Sequence, residues 1–336
     1  MKTFKNYVSP ETLKKLKFRS SKIIDDKTEQ GEFFSEDGEK YPVIDGLPNL
    51  TFPFELPKEE VDIINWYDNN YENYDEYLPL TFKTFNENEE VVRAKIVDSL
   101  EIKPDYKILE TGSGTGRDSV LLASKLGREG ELHVTDIFDK ILRQSYSKLE
   151  SSKPSIFYSV LNAIYLPFPD NYFDIYYHFG GFNTFSDKKR AFKEISRVVK
   201  KGGKVIIGDE SVPVWLRETE FGKILMNSNH HYKYNLPLEY MDHTARDVSF
   251  EYIIGGVFYL ISYTVDEGEP FGDFDFEIPG LRGGTHRTRY YGHLEGVKEE
   301  TIKLAKIAIS KENVSMHSWL DKIINEEALK IINGNK

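Results

Sequence analysis

The stretch KILETGSGTGRD, residues 107–118, constrains this chain more than any other. Ile108 and Leu109 begin an apolar strand, Gly112, Gly114 and Gly116 punctuate a short loop, and a helical pattern starts at Asp118. Glycines permit positive φ and let a ligand come close to the backbone. A helix start adds unpaired N–H groups and the positive end of a dipole. Strand, glycine turn and helix start together form a ligand cradle.

The flanking pattern says what carries that cradle. Strand-like runs at 106–111, 132–137, 156–161, 173–179 and 204–208 alternate with helical runs at 118–126, 138–149 and 188–200. Such alternation predicts an α/β fold, a doubly wound Rossmann-like parallel sheet covered on both faces. A further helix is expected over 213–226, with Pro213 in its first turn. The period then changes to two. Residues 249–254 and 257–262 flank Gly255-Gly256 and predict an antiparallel hairpin closing the sheet.

Three parts are expected. Residues 1–55 form a small β-rich module with turns at Asp37-Gly38 and Asp45-Gly46 and one short helix at 11–16. Residues 56–265 form the cofactor-binding domain. Residues 266–336 hold a glycine-rich loop and two helices, over 299–310 and 316–332, as an acceptor-side or packing extension. Residues 56–104 read as helical, with a second helix over 86–100. The polar, aromatic stretch 67–77 reads either as a lid over the cradle or as a solvated loop.

Composition narrows the partners. A net charge of -11 argues against nucleic acid or an anionic membrane surface. With no cysteine, disulfides, thiolate nucleophiles and Cys-ligated zinc are excluded. No window approaches the roughly 18 apolar residues of a membrane span, and the start lacks the apolar core of a signal peptide. A cytoplasmic enzyme with a small-molecule substrate is expected. Adjacent His230 and His231, with His243, do not suit chelation of one ion, and no metal site is expected.

The cradle's ligand is narrowed by three details. The spacing Gly112-x-Gly114-x-Gly116 differs from the G-x-G-x-x-G of dinucleotide enzymes, and no Lys-Ser/Thr pair follows, which excludes a Walker loop. Glu110, just before the loop, is awkward beside a pyrophosphate and suits a ligand bearing an ammonium group. Asp136, 20 residues past Gly116, stands where an acid takes both ribose hydroxyls. That acid supports an adenosyl ligand without choosing among them.

The string LNAIYLPFPDNYFD, residues 161–174, is the most specific in the chain. Together with ETGSGTG, HVTD at 133–136 and VVKKGGKVIIGDE at 198–210, it resembles the class I S-adenosylmethionine-dependent methyltransferases, over about residues 67–210. The resemblance implies that Glu110, Thr111, Gly112, Gly114 and Gly116 line the methionine and ribose side of S-adenosyl-L-methionine. Asp136 would take the ribose hydroxyls, with Ile137 against the adenine. Asn162 and Ala163 match an Asp-Ala pair that meets the adenine. Here an amide replaces the acid, and its carbonyl can still accept from the adenine amino group. His178 and Phe179 would face the methyl group, and Tyr67 and Tyr74 match an aromatic stretch that closes over the cofactor. The leader, LKFRSSK and GEFFSEDGEKYPVIDGLPNL, resembles a zinc-ribbon-like module that precedes some such domains. Its cysteines, expected near Phe18, Ser21 and Ser35, are absent. A metal-free ribbon would be held by Phe33, Phe34, Tyr41, Val43 and Ile44; an unrelated β-rich extension is the alternative.

Methyl transfer from a sulfonium is an in-line displacement that needs a base only for a protonated acceptor. His178 is the first candidate base, at the end of the fourth strand; the alternative is a satisfied core histidine. Asn183 and Glu210 stand near strand ends and either orient an acceptor or cap a helix. Arg282, Arg287 and Arg289, among glycines in an acidic chain, are candidates to hold an anionic acceptor. Pairing with the acidic run 267–277 competes with that role. Two other functions remain open. One is a cofactor-binding subunit without turnover, and the other is a nicotinamide-dependent dehydrogenase, which the loop spacing and the 161–174 string disfavour.

Overall fold

The computed structural model describes residues 4, 6–24, 27–281, 283–291 and 297–334. The chain forms two compact units, Met1–Glu269 and Pro270–Lys336.

The first unit opens with a four-stranded antiparallel sheet: β1 (Lys17–Ile24), β2 (Lys27–Phe34), β3 (Lys40–Ile44) and β4 (Leu47–Pro48), in that order. Strand alternation turns Tyr41 and Val43 inward, where both are 1% exposed. Ile44, expected in this core, therefore points outward and is 51% exposed. The short helix expected at 11–16 is a turn instead. Ser9 Oγ accepts from the N–H groups of Glu11 and Thr12, and Leu13 adopts φ +58°, which no helix continues. The module is not separately cored. Phe4, Tyr7, Leu16, Phe33, Tyr41 and Leu50 pack in one cluster with Leu109 and Tyr176 of the larger sheet and Phe168 of the loop before its strand 173–179.

Three helices follow: α1 (Lys58–Asn70), α2 (Tyr74–Thr84), joined through a 3₁₀ turn, and α3 (Glu89–Asp98). The stretch 67–77, too polar for a core helix by pattern, is helical because its polar groups find partners on the cradle, as shown below. Helix α3 starts three residues later than the pattern predicts, since Asn88 caps it by accepting from Val91 N–H at 3.0 Å.

The main sheet comprises β5 (Lys107–Thr111), β6 (Glu131–Asp136), β7 (Ser155–Val160), β8 (Phe173–Phe179), β9 (Val199–Glu210), β10 (Ala245–Ile253) and β11 (Phe258–Val265). Its order is β10-β11-β9-β8-β5-β6-β7. Strands β5 to β9 run parallel, while β11 is antiparallel to both β9 and β10. This is the class I methyltransferase arrangement, with the hairpin where the sequence predicts it. The order reverses between β5 and β8, and a crevice opens beyond the carboxyl ends of strands at such a point.

Helix α4 (Arg117–Lys125) follows the glycine loop, and α7 (Lys188–Val198) precedes β9. The helix expected at 138–149 is divided into α5 (Asp139–Arg143) and α6 (Ser145–Leu149). Ser145 Oγ donates to Leu142 O at 2.6 Å, a back-bond that bends helices. The helix expected at 213–226 is a 3₁₀ turn followed by α8 (Glu220–Ser228). Thr219 caps α8 by accepting from Gly222 N–H, which starts a new helix rather than extending the old one.

In the second unit, α9 (His286–Tyr291) precedes α10 (Glu299–Glu312) and α11 (Met316–Asn333). The two long helices match the sequence pattern and bury none of their residues. Among the described residues no helix is long and apolar enough to cross a membrane.

Candidate functional site

The glycine loop runs from the end of β5 into α4. Gly112, Gly114 and Gly116 all have positive φ, at +63°, +53° and +81°. A Cβ on Gly112 would lie 2.8 Å from His178 Cε1, and one on Gly116 would lie 2.6 Å from Ser145 Cβ. The loop is thus closed tightly around bare backbone. Asp136, at the end of β6, joins it from the side. Its Oδ2 accepts from Gly114 N–H at 2.8 Å and its Oδ1 from Phe138 N–H at 3.0 Å. Burial raises the Asp136 carboxyl, and these backbone donors oppose the rise. Ile137 follows it, half-buried.

Glu110 is 2% exposed, and its Oε2 accepts from Ser119 Oγ at 2.5 Å. Burial pushes its carboxyl well above the usual carboxylate range. Thr111 Oγ1 bonds Tyr176 Oη at 2.7 Å and His178 Nδ1 at 2.9 Å. Asn162, just beyond β7, accepts from Ile164 N–H at 3.0 Å through Oδ1, and Ala163 beside it is buried. Glu110, Thr111, the three glycines, Asp136, Ile137, Asn162 and Ala163 thus come together along the carboxyl ends of β5, β6 and β7.

On the other side of the crevice stand β8 and β9. His178 is 1% exposed beneath Gly112, and burial lowers its imidazole to about 4. Phe179 stacks on Phe258 with ring centroids 6.3 Å apart. Asn183 is fully committed. Its Nδ2 donates to Glu210 O at 2.7 Å, its Oδ1 accepts from Tyr259 Oη at 3.2 Å, and its N–H donates to Asp209 Oδ2 at 2.6 Å. Burial and the neighbouring Asp209 push the Glu210 carboxyl well up. The turn at 229–234 is tied to the exit of β9: Val212 N–H donates to Tyr232 O at 2.9 Å and Ser211 Oγ to Tyr234 O at 2.7 Å. That turn carries His231, whose imidazole burial lowers.

Of the two readings of residues 67–77, the contacts of Asp75 favour a strap laid on the cradle, although the sequence pattern did not single out Asp75 itself. Asp75 accepts from Thr115 Oγ1 at 2.5 Å, Arg117 Nε at 3.0 Å and Lys148 Nζ at 2.9 Å. Burial would raise the Asp75 carboxyl, but these three donors outweigh it and hold it at about 2. Arg117 also reaches Glu89, which pairs with Arg93, which pairs with the buried Asp118 at 2.6 Å. Glu60 reaches Asn162 and Ser186. The one signal for these residues was an acid-rich helical stretch facing a glycine loop rich in hydroxyls. The side chains of Tyr67 and Tyr74 lie outside the described residues, as does Arg282. Within the second unit, Arg287 pairs with Asp275 at 3.0 Å, and Arg289 Nε donates to Gly283 O at 3.1 Å. For Arg287, pairing with the acidic run is the arrangement present.

The chain's likeness to known proteins agrees with this geometry. It is 30% identical over 152 residues to the ubiquinone/menaquinone biosynthesis C-methyltransferase of Psychromonas ingrahamii, covering 41% of this chain and 61% of that one. It is 28% identical over 181 residues to the enzyme of the same name from Pasteurella multocida, covering 50% and 67%. The chain therefore spans about three fifths to two thirds of the length of these relatives. A solved structure of Haemonchus contortus phosphoethanolamine N-methyltransferase 2 with S-adenosyl-L-methionine superposes with a TM-score of 0.48 at 16% identity, covering 66% of this chain and 62% of that one. A family model matches residues 58–235, from the first residue of α1 to just past the 229–234 turn and just over half of the 336 residues. By that match the chain belongs to the ubiE/COQ5 methyltransferase family.

Proposed function

We propose that this chain transfers a methyl group from S-adenosyl-L-methionine to a small-molecule acceptor. One observation carries the reading: three positive-φ glycines in one loop, the middle one donating its N–H to Asp136 at the carboxyl end of the adjacent strand. The residues suit this cofactor. Gly112 and Gly116 keep the loop as bare backbone packed on His178 and Ser145, and Asp136 holds it by accepting from Gly114 N–H while its other oxygen accepts from Phe138 N–H. Glu110, Thr111, Gly112, Gly114 and Gly116 would hold the methionine and ribose portion. Ile137, Asn162, Ala163 and Phe179 would line the base and methyl side, with Tyr67 and Tyr74 on the strap.

Bound there, the cofactor supplies an electrophilic methyl group on a sulfonium. The protein's part is alignment and exclusion of water, which dominate such displacements. We assign His178 to the floor of the cradle rather than to proton transfer. It lies under Gly112, bonds Thr111, and is a weak base with its imidazole held at about 4. Asn183, with its amide committed at both ends, anchors the loop after β8 to β9. If the acceptor must lose a proton, His231 is the base we favour, since its turn is tied to the crevice end of β9.

The family match stops at residue 235, before the hairpin and the second unit. Acceptor choice is assigned to those later segments. An anionic acceptor held by Arg282, Arg287 and Arg289 is the finer form of the proposal. Alanine at each should raise the acceptor's KM and leave cofactor affinity alone, and unchanged KM in all three removes it. A cytoplasmic location and three working parts, 1–55, 56–265 and 266–336, belong to the same reading; fractionation and truncation test them. Calorimetry with S-adenosylmethionine, S-adenosylhomocysteine and NAD tests the cofactor: NAD binding alone would overturn the proposal. Turnover with candidate acceptors separates an enzyme from a binding-only subunit.

A further inference from the structure

Glu60 has no part in the chemistry above, yet it occupies a demanding position. It lies in the first turn of α1 and is 5% exposed. Its Oε2 accepts from Asn162 Nδ2 at 2.9 Å and its Oε1 from Ser186 Oγ at 2.5 Å. A buried carboxylate is tolerated when its oxygens are paired in this way.

The contacts fix which way the Asn162 amide points. A carboxylate only accepts and a backbone N–H only donates. The NH₂ must therefore face Glu60, and the carbonyl must face Ile164 N–H, 3.0 Å away. A flipped amide would set oxygen against oxygen and N–H against N–H. The carbonyl keeps a second lone pair. The residue before Asn162 is tied to the end of β6, where Leu161 N–H donates to the Asp136 backbone carbonyl at 3.0 Å. Ser186 stands on the other side, in the loop after β8.

We propose that Glu60 is a positioning residue for the cofactor's purine. It locks Asn162 so that the amide carbonyl stays available to accept from the purine amino group, and it ties that wall to the loop on the acceptor side. The proposal rests on the cofactor reading above. It explains why residue 162 is an amide: an aspartate would set two buried carboxylates against each other, and one would have to take up a proton.

The test is calorimetry on the full chain with S-adenosylhomocysteine and with S-inosylhomocysteine, in which a carbonyl replaces the amino group. Wild type should prefer the amino purine by roughly tenfold or more, the scale of a lost buried hydrogen bond with an opposed oxygen. Glu60→Gln can pair with the amide in either orientation, leaving Ile164 N–H alone to favour the native one, so the preference should fall by about threefold or more. Asn162→Asp should lose roughly tenfold or more in affinity at pH 7. The double variant E60Q/N162D, in which Gln donates to Asp, should return to within about threefold of wild type. A merely structural role would change thermal stability without changing the preference between the two purines. Should Asn162→Asp not fold, the preference measured in Glu60→Gln decides by itself. Equal preference in wild type and Glu60→Gln, or a double variant no better than a folded Asn162→Asp, overturns the inference alone. A wild type that binds neither nucleoside overturns the cofactor reading and this inference with it.

Discussion

The two walls of the crevice are built differently. On the β5–β7 wall, the loop and strand-end groups of the cradle find partners close along the chain, although the helices laid over it reach from farther away, Glu60 meeting Asn162 across 102 residues. Ser119 reaches Glu110 across 9 residues, Gly114 reaches Asp136 across 22, and Ile164 reaches Asn162 across 2. On the β8–β9 wall the partners are distant. Thr111 meets His178 across 67 residues and Tyr259 meets Asn183 across 76. The first wall is largely backbone and short carboxylates presented by loops. The second is side chains locked by strands that pair late in the chain. Short-range construction suits a ligand common to a whole family, whereas long-range construction leaves the other wall free to differ between members.

Substitutions on each wall should separate the two. The largest effect is expected from Gly112→Ala. It forces a side chain into φ +63° and sets a Cβ 2.8 Å from His178. Strain and overlap of about 3 kcal/mol should lower S-adenosylhomocysteine affinity roughly 100-fold by calorimetry. Retained affinity would mean that the loop is not the cofactor's seat. Asp136→Ala removes the acceptor shared by Gly114 and Phe138 and should weaken binding roughly 10- to 100-fold, with a smaller change in melting temperature.

The second wall should report through pH. Folded, His178 takes a proton only near pH 4, whereas unfolded it does so near 6.5. Between those values the unfolded chain binds the extra proton. Stability therefore rises with pH across the window and is lost on acidification, by about 3 kcal/mol for this residue. His133, lowered by burial in the same direction, adds to the slope. Urea unfolding at pH 7 and pH 4.5 measures it, and His178→Asn should flatten it. An unchanged slope in that variant would mean that His178 is not neutral in the fold.

The strap should give the smallest effect. Asp75 is a half-exposed carboxylate, so solvent screens its pairs. Asp75→Asn should cost less than about 1 kcal/mol and weaken cofactor binding only a few-fold. Because its carboxyl is held down at about 2, its contribution is present above about pH 4 and lost as pH falls toward 2. A hundredfold loss of affinity in this variant would make the strap, rather than the glycine loop, the dominant wall.

The comparison also explains what could be read in advance. Periodicity located all five parallel strands and the closing hairpin, since a buried sheet demands continuous apolar runs whatever surrounds it. It failed where capping and side-chain bonds cut a helix, at Ser145, Thr219 and Asn88, and at Ser9, where a hydroxyl turn replaced one. It also could not see that polar residues 67–77 would be helical, because Asp75 is satisfied by Thr115, Arg117 and Lys148, which lie far along the chain.

By itself the sequence determined the cradle: the glycines, Glu110, Asp136 and the strand pattern on either side. Their conformations follow from local sterics and from partners 9 and 22 residues away, which a linear pattern encodes. Only the tertiary structure decided that His178 lies sealed beneath Gly112, that Asn183 is committed to Glu210 and Tyr259, and that Glu60 meets Asn162 across 102 residues. Those roles depend on which buried polar groups come to face each other, and chain spacing carries no record of that until the sheet has closed.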